Sequence, residues 1–249
     1  MGHDDGAGLV LKRRTALSAL GAAAAAALGS AAAGQRFGRL FGEESAAIAA
    51  APSCVARPRQ TEGPYFVDER LNRSDIRSDP ADGAMKPGVL LRLAFRVTRL
   101  NAGCRPLAGA IVDVWHCDAR GVYSDVQDGL FGNTKGKTFL RGFQQTNEAG
   151  EAAFTTIYPG WYPGRAVHIH FKIRSAPGSS SGHEFTSQLY FDDTLTDRVH
   201  AKPPYAGRTG RRMRNAEDGI FQGGGAQLLL QPVLQGEAYT AAFEAAWDG

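Results

Sequence analysis

Hydrophobic and polar residues alternate along a stretch in the first half of the chain. Within residues 89–100 the apolar side chains occupy every second position, at Leu91, Leu93, Phe95 and Val97. Polar side chains fill most of the positions between them, among them Arg92, Arg96 and Thr98. Successive side chains of a strand point to opposite faces of a sheet. This two-residue period therefore predicts a β-strand with one face in a core.

Six further segments have the composition of strands, and turn-forming residues separate them. They are residues 109–117, 139–146, 150–160, 166–173, 184–191 and 226–234. Short strands joined by turns predict an all-β fold, an antiparallel β-sandwich with long loops. Residues 193–200 indicate one or two helical turns, whereas residues 238–249 fit either a helix or an edge strand.

The first 50 residues have a different character from the rest of the chain. They are rich in Ala, and Lys12, Arg13 and Arg14 precede a weakly apolar stretch. This pattern predicts an export signal that resembles the twin-arginine type, followed by a linker. The apolar run is short for a stable membrane span. We therefore predict an exported, periplasmic or extracellular protein, with a catalytic domain over residues 51–249 that begins in an irregular arm, residues 54–88.

Charge adds little to this picture. The 249 residues carry a formal net charge of +3, part of which comes from the basic residues of the signal. The densest basic cluster, residues 208–214, is expected to be a solvated loop. No broad basic stripe is present, so we predict no nucleic-acid partner.

Three cysteines leave one thiol unpaired if a disulfide forms, as an exported protein allows. Cys104 lies in a predicted loop and Cys117 at the far end of the strand that follows it, too far away for a bridge in a simple hairpin. Cys54–Cys104 is therefore the preferred pair. Cys117 is expected to be a buried structural thiol, and its neighbour His116 is expected to be structural as well.

The chemistry of the chain is concentrated around two histidines. His168 and His170 are one residue apart on a predicted strand, so both imidazoles project from one face. Taken alone, such a pair more often belongs to packing or to the surface than to a metal site. Tyr123, Tyr162 and Arg165 change that interpretation, because phenolate oxygens together with imidazoles suit ferric iron. Binding to the metal offsets the cost of forming a phenolate, whose free pKa is about 10.

Four motifs resemble those of the intradiol ring-cleavage dioxygenases, the catechol and protocatechuate family. They are "TEGPYF" (61–66), "DVWHCDARGVYS" (113–124), "TIYPGWYPGRAVHIHFKI" (156–173) and "SQLYF" (187–191), and the resemblance extends over residues 54–235. It implies a β-sandwich that binds a mononuclear non-haem Fe(III). The metal ligands implied by position are Tyr123, Tyr162, His168 and His170.

The resemblance also implies an activity. A catechol-type ring would be cleaved by O2 between its two hydroxylated carbons, giving a cis,cis-muconate-type diacid. Tyr162 would leave the metal and help to take up a proton, and Arg165 would stabilise negative charge on the ring with Gln188 beside it. Tyr65 and Trp161 are candidate walls of the substrate pocket, although each also fits a packing role.

Two other functions fit parts of the pattern. One is a secreted β-sandwich binding module with a non-catalytic metal site, which would have no need of the tyrosine pair. The other is a secreted copper protein, because two histidines on a strand also suit copper.

The helical dimerisation region of the family's cytosolic catechol enzymes has no counterpart in this sequence, where a signal and a short arm occupy its place. This favours the exported branch of the family and leaves the quaternary structure open, a homo-oligomer included.

Overall fold

The computed structural model describes residues 54–130, 132–175, 183–210 and 212–248. The predicted export signal and linker, residues 1–50, lie outside the described residues. The domain boundary predicted at residue 51 therefore stays a prediction.

The described residues form eleven strands and two helices. The strands are β1 (Leu90–Arg99), β2 (Arg105–Pro106), β3 (Ile111–Trp115), β4 (Gln127–Asp128), β5 (Gly132–Asn133), β6 (Arg141–Gln145), β7 (Glu151–Ile157), β8 (His168–Arg174), β9 (Glu184–Tyr190), β10 (Val233–Gln235) and β11 (Ala238–Trp247). The helices are α1 (Asp193–His200) and α2 (Gly219–Gln222). Short 3-10 turns cover Leu100–Ala102, Asn215–Glu217 and Gly225–Leu228.

Two sheets pack face to face. The first has β1 at its centre, with β11 and then β10 on one side and β2 and β7 on the other. The second has the strand order β6-β3-β8-β9 and is antiparallel throughout. Phe95 and Phe243 of the first sheet meet Phe171 of the second, with ring centroids 5.3 and 5.4 Å apart. The predicted all-β sandwich is confirmed.

Six of the seven predicted strands are present, but residues 226–234 were assigned wrongly. This segment is a 3-10 turn followed by a stretch that pairs only at Leu229, and β10 then begins at Val233. Leu228 and Leu230 are buried in the core all the same. Burial without strand pairing explains the error, because a short apolar run has the same composition in either conformation.

The C-terminal segment is a strand, and it does not lie at an edge. β11 runs parallel to β1 over nine residue pairs, from Leu91–Tyr239 to Arg99–Trp247. The sheets are therefore not wholly antiparallel. Ala241, Phe243 and Ala245 alternate into the core, which is the strand period.

The predicted arm is irregular, since residues 54–88 contain only isolated bridges. A disulfide joins Cys54 to Cys104, with Cα atoms 5.4 Å apart, so the preferred pairing is confirmed. Cys117 is free and buried, as expected. Beyond its disulfide the arm meets β9, the edge strand of the second sheet, where the backbone N–H of Gln60 donates to the carbonyl of Thr186 at 3.0 Å.

Among the described residues of the basic cluster, Arg212 is not solvated as expected. Arg212 pairs with Asp193 at 2.5 Å and with Asp197 at 2.8 Å, and Arg214 also contacts Asp197. These ion pairs fasten the segment to α1, and the side chain of Arg212 is only 9% exposed. No helix within the described ranges is both long and apolar enough to cross a membrane.

Candidate active site

Strand β8 separates the core from the candidate site. Ile169, Phe171 and Ile173 belong to the core between the sheets. His168 and His170 alternate onto the outer face, as the spacing predicts, and both are buried there. Trp115 of β3 is the register partner of His170, and its ring stacks on the imidazole at 5.0 Å with an interplanar angle of 8°. This stacking fixes the plane of the His170 ring.

Four predicted ligand residues converge around the Nε2 atom of His168. That atom lies 3.0 Å from Nε2 of His170, 3.1 Å from Oη of Tyr162 and 3.4 Å from Oη of Tyr123. Its other ring nitrogen, Nδ1, is 2.7 Å from the carbonyl oxygen of Ala166. A carbonyl can only accept, so Nδ1 carries the proton and Nε2 presents a lone pair to the site.

The two tyrosines come from loops that are packed against each other. Tyr123 follows a turn in which Asp118 accepts hydrogen bonds from the backbone N–H groups of Arg120 and Val122. Gly160, two residues before Tyr162, lies so close to this turn that a Cβ would come within 2.5 Å of the carbonyl oxygens of Asp118 and Ala119. Only glycine allows this approach. It brings the two phenol rings to a centroid separation of 5.7 Å.

Burial sets the protonation states of these four side chains. It lowers the pKa of His168 to about 3, with a further contribution from Arg165, and the pKa of His170 well below its usual range. Both imidazoles are therefore neutral at pH 7, as a metal ligand requires. Burial also raises the pKa of Tyr123 and Tyr162, so in the absence of a cation each phenol keeps its proton.

This donor set fits a metal ion. Nitrogen and oxygen ligands lie about 2 Å from a first-row metal, so donor atoms near 3 Å apart are compatible with one shared ion. Across the described ranges, no group of three or more His, Cys, Asp or Glu side chains is arranged to hold a metal. The candidate site combines two imidazole nitrogens with two phenol oxygens. Phenolates are hard donors with negative charge, which suits a trivalent cation better than a soft one.

Arg165 and Gln188 lie beside these donors. The Nη1 atom of Arg165 is 3.5 Å from Nε2 of His168, and its Nη2 atom donates to Oε1 of Gln188 at 2.5 Å. Gln188 lies on β9, where its register partner is His170. Its amide nitrogen donates to the carbonyl of Thr61 at 2.8 Å, which fixes the orientation of the amide.

Comparison with known proteins identifies the family. A family model described as "Dioxygenase" matches residues 61–203, more than half of the chain. An intradiol ring-cleavage dioxygenase from Tetranychus urticae is similar in structure, with a TM-score of 0.67 and 32% identity, over 78% of this chain and 94% of that one. The chain belongs to the intradiol ring-cleavage dioxygenase family.

The curated relatives match different shares of their own length to this chain. The beta chain of protocatechuate 3,4-dioxygenase from Burkholderia cepacia is 29% identical over 74% of this chain and 81% of its own length. Catechol 1,2-dioxygenase 1 from Acinetobacter lwoffii is 24% identical over 61% of this chain and 54% of its own. The chain thus spans about half the length of the catechol 1,2-dioxygenases that it matches.

The arm of this dioxygenase family member covers the site. Tyr65 stacks on Tyr123 with ring centroids 4.8 Å apart, and its carbonyl accepts a hydrogen bond from Arg141 at 2.6 Å. Gly63 lies over the His170 ring. Lys172, two residues beyond His170 on β8, forms an ion pair with Glu62. These contacts hold segment 61–66 against the four donors and place Tyr65 on Tyr123, and the predicted role of Tyr65 as a pocket wall stays a prediction.

Trp161 has a different environment. Its ring belongs to the main core, and the guanidinium of Arg208 lies over it at 4.2 Å. The side chain thus packs away from Tyr162, which belongs to the smaller cluster around Trp115 and Tyr123. Its predicted role as a pocket wall stays a prediction.

Sequence reasoning missed several residues that shape the site. They are Gly63, Trp115, Arg141, Lys172 and Asp218. For Lys172 a signal existed, because it shares the outer face of β8 with the two histidines. Asp218 gave no signal, since it lies 53 residues away from the arginine that it contacts.

Proposed function

We propose that the protein is a non-haem Fe(III)-dependent intradiol dioxygenase. It cleaves a catechol-type aromatic ring between its two hydroxylated carbons and incorporates both atoms of O2, giving a cis,cis-muconate-type diacid. The observation that carries this proposal is the convergence of two phenol oxygens and two neutral imidazole nitrogens beside an arginine. Membership of the family supports it independently.

The ligands are Tyr123, Tyr162, His168 and His170. A ferric ion bound there would act as a Lewis acid that stabilises the phenolates and the two substrate oxygens. The chain contributes rigidity: Trp115 fixes the plane of His170, and the Ala166 carbonyl fixes the tautomer of His168. Such outer contacts orient ligands and raise their basicity.

The remaining roles concern charge and protons. Oη of Tyr162 would accept a proton from the substrate, because burial raises the pKa of this phenol. Nη1 of Arg165 faces the donors and stabilises negative charge that develops on the ring. Gln188 accepts a hydrogen bond from the same guanidinium and holds it in place.

The arrangement and the relatives support a catecholic substrate. Two vicinal hydroxyl groups of a catechol would chelate a single ion held by the four donors. The names of the relatives include catechol, chlorocatechol and protocatechuate dioxygenases. Tyr65, which stacks on Tyr123, is the proposed pocket wall that selects among ring substituents. Trp161 packs in the main core, and its role as a second wall stays a prediction.

A visible spectrum tests the proposal directly. The purified protein loaded with iron should show a tyrosinate-to-iron(III) charge-transfer band. Catechol added without oxygen should shift that band to longer wavelength, and admitting oxygen should then yield a muconate-type product. A protein that stays colourless after iron loading would overturn the proposal and favour a binding module instead.

Two histidine variants make the test specific. His168→Ala should abolish the band and ring cleavage, because it removes the central nitrogen donor. His183→Ala is the matched control, since His183 is exposed and contributes its backbone carbonyl to a hydrogen bond with Ser175. An equal loss in both variants would contradict the assigned ligand set.

We also infer that the protein is exported. The Arg13-Arg14 pair in the N-terminal segment and the Cys54–Cys104 disulfide both support this inference, because disulfides persist in oxidising compartments. Replacing both arginines by lysine should retain the full chain in the cytoplasm of a bacterium that has the twin-arginine route. Unchanged recovery from the periplasm would exclude that route.

A further inference from the structure

The buried carboxylate of Asp218 lies directly behind the predicted catalytic arginine. It is 2% exposed, and its Oδ2 atom accepts hydrogen bonds from Nε of Arg165 at 3.0 Å and from the backbone N–H of Ala166 at 2.8 Å. Its Oδ1 atom accepts from the backbone N–H of Ile220 at 2.8 Å and caps α2. Both oxygens are thus fixed, one by the arginine and one by the helix.

The donors of Arg165 can be assigned one by one. A guanidinium carries five N–H groups in a planar fork. Nε points to Asp218, and Nη2 points to Oε1 of Gln188 at 2.5 Å and to Oη of Tyr190 at 3.4 Å. Nη1 is the nitrogen that lies 3.5 Å from His168. Because Asp218 binds Nε and Gln188 binds Nη2, the guanidinium is oriented with its Nη1 atom toward the four donors.

Asp218 and Gln188 do not restrain the arginine equally. Gln188 is neutral, so only the guanidinium is charged in its hydrogen bond with Arg165. Asp218 forms an ion pair with Arg165 in which both partners are charged, and the Asp218 side chain is buried. Burial alone would raise the pKa of the Asp218 carboxyl, but the Ala166 N–H and Arg165 outweigh it and lower the pKa. The carboxylate is therefore ionised at neutral pH.

We propose that Asp218 is a positioning residue for ring cleavage, holding the guanidinium of Arg165 so that its Nη1 edge faces the bound catechol. This inference rests on the function proposed above. Asp218 acts through Arg165 and does not touch the substrate. A purely structural role, as the cap of α2 and the anchor of Ala166, is the competing explanation.

Asp218→Asn tests the proposal with little change in shape. The amide has one oxygen, so it cannot accept on both sides, and either the arginine or the helix cap loses its partner. We expect kcat/KM for ring cleavage to fall about 10- to 100-fold, the usual effect of losing an outer partner of a functional group. The anaerobic catechol affinity and the charge-transfer band should be retained. Unchanged kcat/KM would overturn the proposal.

Asp192→Asn is the matched control. Asp192 caps α1 through Oδ1, which accepts from Leu195 N–H at 2.9 Å, as Asp218 caps α2. It should lower the free energy of unfolding without lowering kcat/KM. If Asp192→Asn slows ring cleavage as much as Asp218→Asn does, loss of a helix cap explains both effects and the proposal is overturned.

Chemical rescue separates positioning from structure. Guanidinium added to Arg165→Ala should restore part of the ring-cleavage rate, because the vacated site still contains the Asp218 carboxylate. The same addition to the double variant Arg165→Ala, Asp218→Asn should restore much less. Equal rescue would show that Asp218 does not hold the guanidinium. A wild-type protein with no band and no ring cleavage would overturn the proposed function itself, and this inference with it.

Discussion

Replacing Gly63 with alanine would place a methyl group against one of the two site histidines. A Cβ at this position would lie 3.3 Å from Cε1 of His170 and 3.9 Å from its Nε2. The backbone φ of Gly63 is +72°, in the left-handed region that disfavours residues with a side chain. The substitution therefore has a backbone effect on stability and a contact effect on the site.

The two effects have different magnitudes. The left-handed conformation costs a non-glycine residue about 1–2 kcal/mol, and the free energy of unfolding should fall by that amount. The contact is closer than the optimum of about 3.5–4.0 Å between carbon atoms, so the His170 ring must move by a few tenths of an ångström. A misplacement of about 1 Å can cost about 100-fold in rate, so we expect a loss of about 3- to 10-fold in kcat/KM.

Gly83→Ala provides a matched control. Gly83 lies in the same arm with a φ of +71°, and no atom lies within 4 Å of a Cβ built there. It should lose the same 1–2 kcal/mol of stability as Gly63→Ala, because the backbone cost is the same. Its visible band and its ring-cleavage rate should be those of the wild type.

Three measurements test whether the arm contacts His170 in solution: denaturant unfolding, the anaerobic visible spectrum and steady-state ring cleavage. Both variants should unfold at similarly reduced denaturant concentrations, and only Gly63→Ala should change the band and kcat/KM. If the two variants have the same spectrum and the same rate, then the arm does not rest on His170 in solution. That result would refute the described role of the arm as a cover of the site.

Three further predictions concern stability. Burial holds the pKa of His116 at about 4. Below pH 6.5 His116 binds a proton in the unfolded chain but stays neutral in the folded protein. Its contribution to the free energy of unfolding therefore falls by about 3 kcal/mol between pH 6.5 and 4. His116→Gln should reduce the dependence of the unfolding free energy on pH over that range, measured by urea unfolding, and the rest of the slope should remain because the pKa values of His168, His170 and His200 are also lowered. An unchanged slope would contradict the burial argument. Replacing Cys54 and Cys104 by serine opens a bridge between residues 50 apart and should lower the free energy of unfolding by about 2–4 kcal/mol; unchanged stability would contradict this loop-closure argument. Lys172→Met removes the ion pair with Glu62 and should speed hydrogen exchange in segment 61–66 with little change in β8; uniform protection would show that other contacts hold the arm.

The sandwich itself was predictable because its strands carry their own signal. The alternation in β1 and β8 determines which side chains face the core, and it needs no knowledge of the partner strand. The same alternation predicted that His168 and His170 share a face. For segment 226–234 the prediction of a strand was wrong, because its leucines are buried in the core although most of the segment does not pair with another strand.

The four proposed donors came from the sequence, but the contacts that support them did not. The spacing of His168 and His170 gave only a shared face, and the resemblance of the motifs implied Tyr123 and Tyr162 as further ligands, a set that stays a prediction. The contact between Asp218 and Arg165 has no local pattern, because it depends on where α2 packs after the chain has passed through β9 and α1. The contact between Gly63 and His170 likewise joins residues far apart in the sequence, so no local pattern predicts it.

The sequence by itself determined six of the strands and the outer face that bears the histidines, because both depend on neighbours a few residues apart. The four proposed donors rested on the resemblance of the motifs, since Tyr123 lies 45 residues from His168. Tertiary structure alone decided that β11 lies parallel to β1, that the arm covers the site, and that Asp218 stands behind Arg165. The physical reason is that a local period selects a conformation and a face. Which distant segment meets that face depends on the packing of the whole domain.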